Sequence, residues 1–205
     1  GHEVGRTTGL GRTTVALVEN MLNGSRKQTL IRPDNTSMTT VYDNGSMTST
    51  APTGAVATSS EAPDPRFGLV AGIPSATVQN TPGGLTLTST SAETAVLLDP
   101  NDPFSLVTLT NAVVTNGRTD QSVYDAATKT FTVTSAGGRT SSTTIDSLGR
   151  PVEEHITGLE GAYATYDGRG RVATVTSGSG GSARTTTFAY NAAGYLASVT
   201  DPLGR

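Results

Sequence analysis

Residues 166–176 read YDGRGRVATVT, and the same pattern begins at Tyr124 (YDAATKTFTVT) and at Tyr190 (YNAAGYLASVT). A fourth copy, IDSLGRPVEEHI, begins at Ile145, where isoleucine stands in the tyrosine position. Successive copies start 21, 21 and 24 residues apart. Self-similarity with a period of about 20 to 50 residues is typical of repeat architectures, in which small units stack side by side. This repeat therefore predicts the fold.

Each copy is predicted to be a β-hairpin. Residues 186–190 alternate threonine with phenylalanine, alanine and tyrosine, which is typical of a half-buried strand. The Asp or Asn that follows and the Gly three positions later are turn residues, since the short side chain accepts backbone N–H groups and Gly tolerates positive φ. The chain then reverses into residues 172–176 or 196–200. We expect the Tyr rings of successive hairpins to stack, and Arg171 to bond a nearby carboxylate or carbonyl.

Composition agrees with strands and turns. The chain has 205 residues, of which 37 are Thr, 24 are Gly and 10 are Pro. Leu, Ile, Val and Phe together make up about a fifth of the chain, which predicts only a modest core. The predicted fold class is all-β, with antiparallel β-hairpin repeats forming an open curved or coiled sheet.

The chain is predicted to have four parts. Residues 1–50 form an N-terminal β-meander, residues 51–66 a Pro/Ser/Thr-rich linker or long turn, residues 67–119 diverged hairpins, and residues 120–205 the clear repeats. Turns are expected at Asn23-Gly24, Pro33-Asp34-Asn35, Asn44-Gly45, Pro82-Gly83-Gly84, residues 99–103 and Asn116-Gly117. Strands are expected at residues 77–80, 85–90, 95–98 and 106–114. Tyr42-Asp43 and Leu98-Asp99 are interpreted as diverged copies of the motif.

Residues 13–22 leave an alternative open. Val15, Val18 and Leu22 have helical spacing and could form an amphipathic helix, although the Asn-Gly turn that follows favours a strand.

Charge and composition exclude several function classes. The formal net charge is −3 and no stripe of Lys and Arg occurs, so nucleic acid is not expected as a partner. No apolar run is long enough to predict a membrane span. The chain has no Cys, which excludes disulfides and cysteine metal sites.

Candidate chemistry is sparse, and we predict no catalytic, cofactor or metal site. Asp146, Glu153 and His155 are the only acid-histidine group and could at most serve a hydrolase or bind a metal. Asp99, Asn101 and Asp102 could offer oxygens to Ca²⁺, but the two prolines of the segment, Pro100 and Pro103, favour a structural turn. The sequence Gly168-Arg169-Gly170-Arg171 leads from one strand into another, so a phosphate loop is not expected.

The repeat resembles the YD repeat of the RHS family, the rearrangement hotspot proteins to which teneurins and insecticidal toxin complexes are related. The family pattern is Tyr-Asp-x-x-Gly-Arg-Leu, then a strand ending in Val-Thr and often Asp-Pro-x-Gly. Matching residues are Tyr166, Asp167, Gly170, Arg171, Val172, Val175 and Thr176, and then Tyr190, Gly194, Leu196, Val199, Thr200, Asp201, Pro202, Gly204 and Arg205. The copies depart from it at Asn191, Tyr195 and Thr128-Lys129, and residues 8–12 (TGLGR) are a weaker echo of the closing DPLGR.

The resemblance implies a structural function. It implies that the repeats build a wound β-sheet shell in a larger bacterial protein, secreted or at the cell surface, which encloses or presents a C-terminal toxin or effector. Further YD repeats and that effector are then the expected partners, and the opening DPLGR at the end of the sequence is read as the start of another copy. The alternatives are a carbohydrate-binding or adhesion module at a cell surface and, less favoured, the hydrolase.

Unpaired sheet edges invite pairing with another strand. We therefore expect the chain to self-associate through the edges of its sheet.

Overall fold

The computed structural model describes residues 1–205 and is all-β, with 17 strands assigned to one antiparallel sheet. This confirms the predicted class of antiparallel hairpin repeats. The strands are β1 (His2–Thr7), β2 (Thr13–Asn20), β3 (Arg26–Ile31), β4 (Ser37–Asp43), β5 (Ser46–Thr50), β6 (Val56–Asp64), β7 (Gly68–Asn80), β8 (Thr86–Leu97), β9 (Leu106–Thr115), β10 (Arg118–Asp125), β11 (Thr130–Thr134), β12 (Thr140–Ile145), β13 (Pro151–Ile156), β14 (Ala162–Tyr166), β15 (Val172–Ser177), β16 (Arg184–Tyr190) and β17 (Leu196–Thr200). A single 3-10 turn covers Gly180–Ser182, and no helix has the length and apolar character needed to cross a membrane.

The chain divides into two compact units. Unit 1 holds residues 1–93 and 112–119, and within it each strand from β1 to β8 pairs antiparallel with the next one. Unit 2 holds residues 94–111 and 120–205, and within it the same rule joins β10 to β17 in order. Neighbours in sequence are therefore neighbours in the sheet, as expected when each repeat is one hairpin.

One five-residue turn geometry recurs throughout the chain. The first residue donates its N–H to the carbonyl of the fifth, and the fourth donates its N–H to the carbonyl of the first, with N···O distances of 2.8–3.1 Å. The fourth residue always has positive φ and is Gly in every case except Asn35. This is the three-residue hairpin loop that combines a type I turn with a left-handed residue. It occurs at residues 8–12, 21–25, 32–36, 51–55, 81–85, 135–139, 146–150, 167–171, 191–195 and 201–205.

Most sequence-predicted turns and strands are confirmed. Asn44-Gly45 and Asn116-Gly117 form two-residue turns with positive φ at both positions. Residues 13–20 are the strand β2, so the helical alternative is wrong there. The strands expected at residues 85–90 and 95–98 are one continuous strand, β8. Residues 68–76, for which no strand was predicted, belong to β7.

Residues 51–66 are not a linker or one long turn, because β6 occupies most of this segment and pairs with β5 and β7. Its Ser, Thr and Ala content hides the strand pattern. Proline is tolerated because the β6–β7 register shifts between Ala62 and Asp64, and a shift of this kind removes the need for the N–H that Pro63 lacks.

The structure has no buried hydrophobic side chain, so even the modest core predicted from composition is absent. Only Ser25 and Asp64 are buried among the polar side chains. A single sheet layer has nothing to pack its faces against, since a core needs a second layer. Stability must therefore come from the backbone ladder, the turns and cross-strand pairs.

Unit 2 has two chemically different faces, because alternate residues of a strand point to opposite sides. The hydroxyl face carries Thr130, Thr132, Thr134, Thr140, Ser142, Thr144, Thr165, Thr174, Thr176, Thr185, Thr187, Ser198 and Thr200, together with Val123, Glu153, His155, Tyr163 and Ala189. Cross-strand hydroxyls on it bond each other, as Thr165 and Thr174 do at 2.6 Å and Thr176 and Thr185 at 2.9 Å. The other face, called the apolar face, carries Tyr124, Phe131, Val133, Ile156, Ala162, Ala164, Val175, Phe188 and Val199, with Ser122, Ser141, Thr143, Ser177 and Thr186 between them.

We predict that Gly170→Ala destabilises the chain by about 1–2 kcal/mol, the cost of holding a residue with a Cβ in the left-handed region. Gly170 has φ of +80°, and a Cβ there would also lie 3.2 Å from Nη1 of Arg150. Gly168→Ala in the same turn is the matched control, since nothing lies within 4 Å and φ is not positive. Chemical denaturation measures both, and equal stability of the two variants would show that the turn does not need its left-handed glycine.

Candidate functional site

The motif residues of unit 2 lie together at the turns that join the strands at one of their ends. Each of these turns begins with the Asp, or in one copy the Asn, of the motif. In the β14–β15 turn, Oδ1 of Asp167 accepts the backbone N–H groups of Arg169 (2.9 Å) and Arg171 (3.0 Å). Oδ2 of the same carboxylate accepts Nε (2.8 Å) and Nη2 (2.6 Å) of Arg171. One carboxylate thus fixes the turn with one oxygen and holds the arginine side chain with the other.

The β12–β13 turn repeats this arrangement. Oδ1 of Asp146 accepts the N–H groups of Leu148 (2.8 Å) and Arg150 (3.0 Å), and Oδ2 accepts Nε of Arg150 at 2.8 Å. Residues 201–205 form the same turn, with Oδ2 of Asp201 accepting Nε of Arg205 at 3.0 Å. The expectation that Arg171 bonds a carboxylate is confirmed, and the sequence spacing Asp-x-x-Gly-Arg is explained by the pair.

Each motif arginine also covers the tyrosine of the next hairpin. The guanidinium carbon of Arg171 lies 4.1 Å from the ring centre of Tyr190, and that of Arg150 lies 4.3 Å from the ring centre of Tyr166. The arginine lies directly before one strand and the tyrosine ends the following antiparallel strand, so the two lie side by side at the same end of the strands. A cation over an aromatic face stabilises by about 0.5–1 kcal/mol at exposed sites and more where water is excluded.

The tyrosine hydroxyl closes the link between hairpins. Oη of Tyr190 donates to the carbonyl of Val172 at 2.9 Å, and Oη of Tyr166 donates to the carbonyl of Pro151 at 2.7 Å. In both cases the acceptor is the residue that follows the motif arginine. We call the Asp, the Arg and the next Tyr the Asp-Arg-Tyr unit. It has two complete copies, Asp146-Arg150-Tyr166 and Asp167-Arg171-Tyr190.

The expected stacking of one Tyr ring on the next is wrong for these copies. The ring of Tyr190 contacts a guanidinium, and its hydroxyl is bonded to the backbone of the preceding hairpin. Strands are about 4.8 Å apart, and equivalent tyrosines lie two strands apart, so their rings are separated by the strand between them. Arginine fills that gap because its flat group can bond a carboxylate at its edge and a ring at its face.

Glycine makes room for the arginine as well as for the turn. Nη1 of Arg171 is buried without a hydrogen-bond partner and lies 3.6 Å from the position that a Cβ of Gly194 would take. The corresponding distance from Nη1 of Arg150 to a Cβ at Gly170 is 3.2 Å. The glycine of each turn therefore lies against the arginine of the turn before it.

Copies that depart from the motif lack parts of the unit. Asn191 keeps the backbone bond, with Oδ1 accepting the N–H of Tyr195 at 3.0 Å, but Tyr195 replaces the arginine and is 72% exposed. In the copy at Tyr124, Asp125 instead binds the backbone and hydroxyl of Thr128, and the Tyr124 ring lies 4.5 Å from that of Phe131.

Unit 1 holds a diverged form that sequence reasoning found only in part. Tyr42-Asp43 ends β4 directly before a turn, as its interpretation as a motif copy predicts. Its ring is covered by Arg26, which lies directly opposite in the β3–β4 register with its guanidinium carbon 4.9 Å from the ring centre. One sequence feature could have identified Arg26 as the partner of Tyr42: it closely follows the Asn23-Gly24 turn and begins the strand next to the tyrosine.

The acid-histidine group does not assemble as a triple. Asp146 is engaged by Arg150 in the turn, whereas Oε1 of Glu153 and Nε2 of His155 form a separate pair at 2.7 Å. His155 also meets the ring of Tyr163 edge-on, with ring centres 5.8 Å apart. A surface depression of about 380 Å³ beside His155 is lined mainly by Thr and Ser.

The Asp99 and Asp102 carboxylates cap the β8–β9 turn. Oδ1 of Asp99 accepts the backbone N–H of Asn101 at 2.9 Å, and Oδ1 of Asp102 accepts that of Phe104 at 2.9 Å. Both bonds are the Asx turns that these residues form beside proline, which is the structural interpretation of the segment. That the chain holds no catalytic, cofactor or metal site stays a prediction.

Bonds from the arginine lower the pKa of the motif carboxyls. The side chain of Arg171 and then its backbone N–H lower the pKa of Asp167 from 3.8 to about 2, and Arg150 does the same for Asp146. The pKa of Asp201 is also lowered, chiefly by the backbone N–H of Arg205. These carboxylates are therefore ionised at neutral pH.

Comparison with known proteins finds the repeat again. The family model described as RHS Repeat matches residues 166–205, which contain Tyr166, Asp167, Arg171 and Tyr190. No curated protein matches the chain. The chain thus carries an RHS repeat over those residues, as its resemblance predicts.

Several solved structures are similar over most of the chain at 11% identity. The crystal structure of TcdB2-TccC3-Cdc42 covers 96% of this chain and 14% of its own, with a TM-score of 0.28. That of TcdB2-TccC3 without its hypervariable C-terminal region gives the same coverage and a TM-score of 0.27. A porin-like protein from Bacteroides uniformis ATCC 8492 covers 97% of this chain and 96% of its own, with a TM-score of 0.35. The chain spans only 14% of the length of the two toxin-complex chains.

We predict that stability falls as the pH drops from about 4 to about 2. The folded pKa of Asp146 and Asp167 is about 2 against an ordinary 3.8, so their contribution is complete above 3.8 and is lost as the pH falls through 2. Asp146→Asn with Asp167→Asn should flatten this slope and keep the turns, since Asn191 already makes the backbone bond in its own turn. Denaturant unfolding at several pH values measures it, and an unchanged slope in the double variant would contradict the assignment.

Proposed function

We propose that this chain, which carries an RHS repeat over residues 166–205, is a wall segment of a larger YD-repeat protein. In that protein the repeat sheet encloses or presents a C-terminal toxin or effector, and this segment performs no catalysis of its own. The partners are further YD repeats and the effector. We place the protein outside the bacterial cell, secreted or at the cell surface.

The observation that carries the proposal is the use of the motif residues. In each complete Asp-Arg-Tyr unit the carboxylate, the guanidinium and the phenol all contact the same or the neighbouring hairpin. Catalytic groups have to be able to reach a substrate, whereas these groups are engaged within the sheet, and Nη1 of Arg171, which has no hydrogen-bond partner, is buried there. What the motif achieves is the attachment of one hairpin to the next.

The carbohydrate-binding alternative has weaker support. Aromatic platforms for sugars need an open ring face. Arg150 covers one face of the Tyr166 ring, and Arg171 covers one face of the Tyr190 ring. The hydrolase alternative would need Asp146 beside His155, yet Asp146 is held by Arg150. Neither alternative draws on the repeated contacts that define the chain.

The experiment is limited proteolysis of the full-length protein that contains this chain, followed by intact-mass spectrometry. We expect the C-terminal region to resist protease until denaturant is added. Tyr166→Ala with Tyr190→Ala should speed its digestion, because both hairpin links are lost. Tyr195→Ala is the matched control, since that ring is mostly exposed.

A C-terminal region digested as fast as an unstructured tail in the native protein would overturn the proposal. Protection that persists in the Tyr166 and Tyr190 double variant would show that the wall does not depend on these links.

A further inference from the structure

The apolar face of unit 2 is too exposed for a surface that stays in water. Val133, Val175 and Val199 are 42%, 41% and 46% exposed, and Phe131 and Ile156 are 41% and 51% exposed. Within unit 2 nothing covers them, since the unit is one sheet layer thick and has no buried hydrophobic side chain. Exposed apolar side chains that cluster on one face are a sign of contact with another molecule. The hydroxyl face on the other side has less need of a partner, because its cross-strand hydroxyls bond each other.

Two opposite charges lie in one row on this apolar face. Glu154 pairs with Ala162 across β13 and β14, Ala162 with Ser177 across β14 and β15, and Ser177 with Arg184 across β15 and β16. The row therefore begins with a carboxylate and ends with a guanidinium three strands, or about 14 Å, away. Both side chains are exposed, and neither forms a salt bridge within the chain. An unpaired charge beside an apolar surface opposes burial of that surface unless the partner neutralises it.

We propose that two copies of this chain pair face to face through the apolar face of unit 2, with Glu154 of each copy opposite Arg184 of the other. A two-fold axis that lies between the two sheets, parallel to the strands and midway between β14 and β15, brings this about. Rotation about it exchanges the two ends of the row, so each carboxylate meets a guanidinium. A two-fold axis at right angles to the strands sets like charges against each other and is disfavoured. In a two-fold interface each such contact occurs twice.

The size of the interface predicts weak pairing. The rotation exchanges β14 with β15, β13 with β16 and β12 with β17, and it leaves β10 and β11 without an opposing strand. The six opposed strands have at least five residues each. At about 4.8 Å between strands and about 3.3 Å per residue they cover roughly 475 Å² in each copy, so two copies bury about 950 Å². This is the size of a weak interface, which is why association is expected in the micromolar range. Two sheets packed in this way lie about 10 Å apart with aligned strands, and Ala162 and Ala164 near the axis leave room for the opposing valines.

The test is the oligomeric state of the 205-residue chain by sedimentation equilibrium in the micromolar range, with charge reversals at the two ends of the row. The wild-type chain should dimerise. Glu154→Arg alone and Arg184→Glu alone should each weaken the dimer at least about tenfold, because like charges then face each other. The combination of both reversals should restore the dimer, since opposite charges are again paired.

Matched substitutions on the two faces give an independent readout. Val175→Glu places a carboxylate in the interface and should abolish the dimer, whereas Thr174→Glu, one residue away on the hydroxyl face, should leave it intact. Circular dichroism shows whether each variant keeps its sheet. If Val175→Glu unfolds the chain, Val175→Cys and Thr174→Cys joined by a flexible bis-maleimide decide instead, since the chain has no other cysteine, and only Val175→Cys should give covalent dimers.

Three outcomes overturn the proposal. A wild-type chain that stays monomeric excludes the dimer, and failure of the double charge reversal to restore association excludes the opposed row. A dimer that survives every substitution on the apolar face shows pairing through the sheet edges, which the sequence predicts as a separate mode.

Discussion

The guanidinium of the motif arginine has to satisfy two neighbours at once, and the repeat depends on this constraint. Arg171 is bonded at its edge by Asp167 of its own turn and lies with its face on Tyr190 of the next hairpin. Asp therefore has to lie four residues before Arg, and Gly has to lie directly before Arg. Tyr has to end the second of the two strands that follow this turn. A lysine could neutralise the carboxylate but could not present a flat face to the ring. Local turn chemistry and contact between hairpins are in this way the same interaction.

A sheet without a core has to be stabilised along its length. In most domains burial of apolar side chains is the dominant favourable term, yet no hydrophobic side chain is buried here. The chain relies instead on backbone pairing, on ten copies of one turn, and on threonine pairs such as Thr165 with Thr174. Each contribution is small, of the order of a few tenths to 1 kcal/mol for a cross-strand pair. Such a layer is most stable when its apolar face and its edges are covered by further sheet or by another molecule, which is consistent with a function as part of a wall.

Much of this architecture could be predicted from sequence. Period-two alternation and Asn-Gly or Asp-x-x-Gly turns are local signals, and the hairpins of unit 2 follow from them. The Asp167–Arg171 pair could also be expected, because the two residues lie in one turn. The partner of Tyr190 could not be predicted, because Arg171 lies 19 positions earlier in the sequence and only the strand register brings the two residues together. The strand in residues 51–66 could not be predicted either, because β6 is rich in Ser, Thr, Ala and Pro, a composition that resembles a linker. The strand is defined by its pairing with β5 and β7. Glu154 and Arg184 likewise share a row only through the register of four strands.

The central claim is that arginine, and not a second tyrosine ring, joins successive hairpins, and NMR of the isotope-labelled chain tests it directly. Nuclear Overhauser contacts should connect the side-chain protons of Arg171 with the ring protons of Tyr190, and those of Arg150 with the ring protons of Tyr166. The Nε–H signals of both arginines should be shifted by the ring current and protected from exchange by the Asp167 and Asp146 carboxylates. Ring-to-ring contacts between Tyr166 and Tyr190, with arginine side chains free in solvent, would contradict the account.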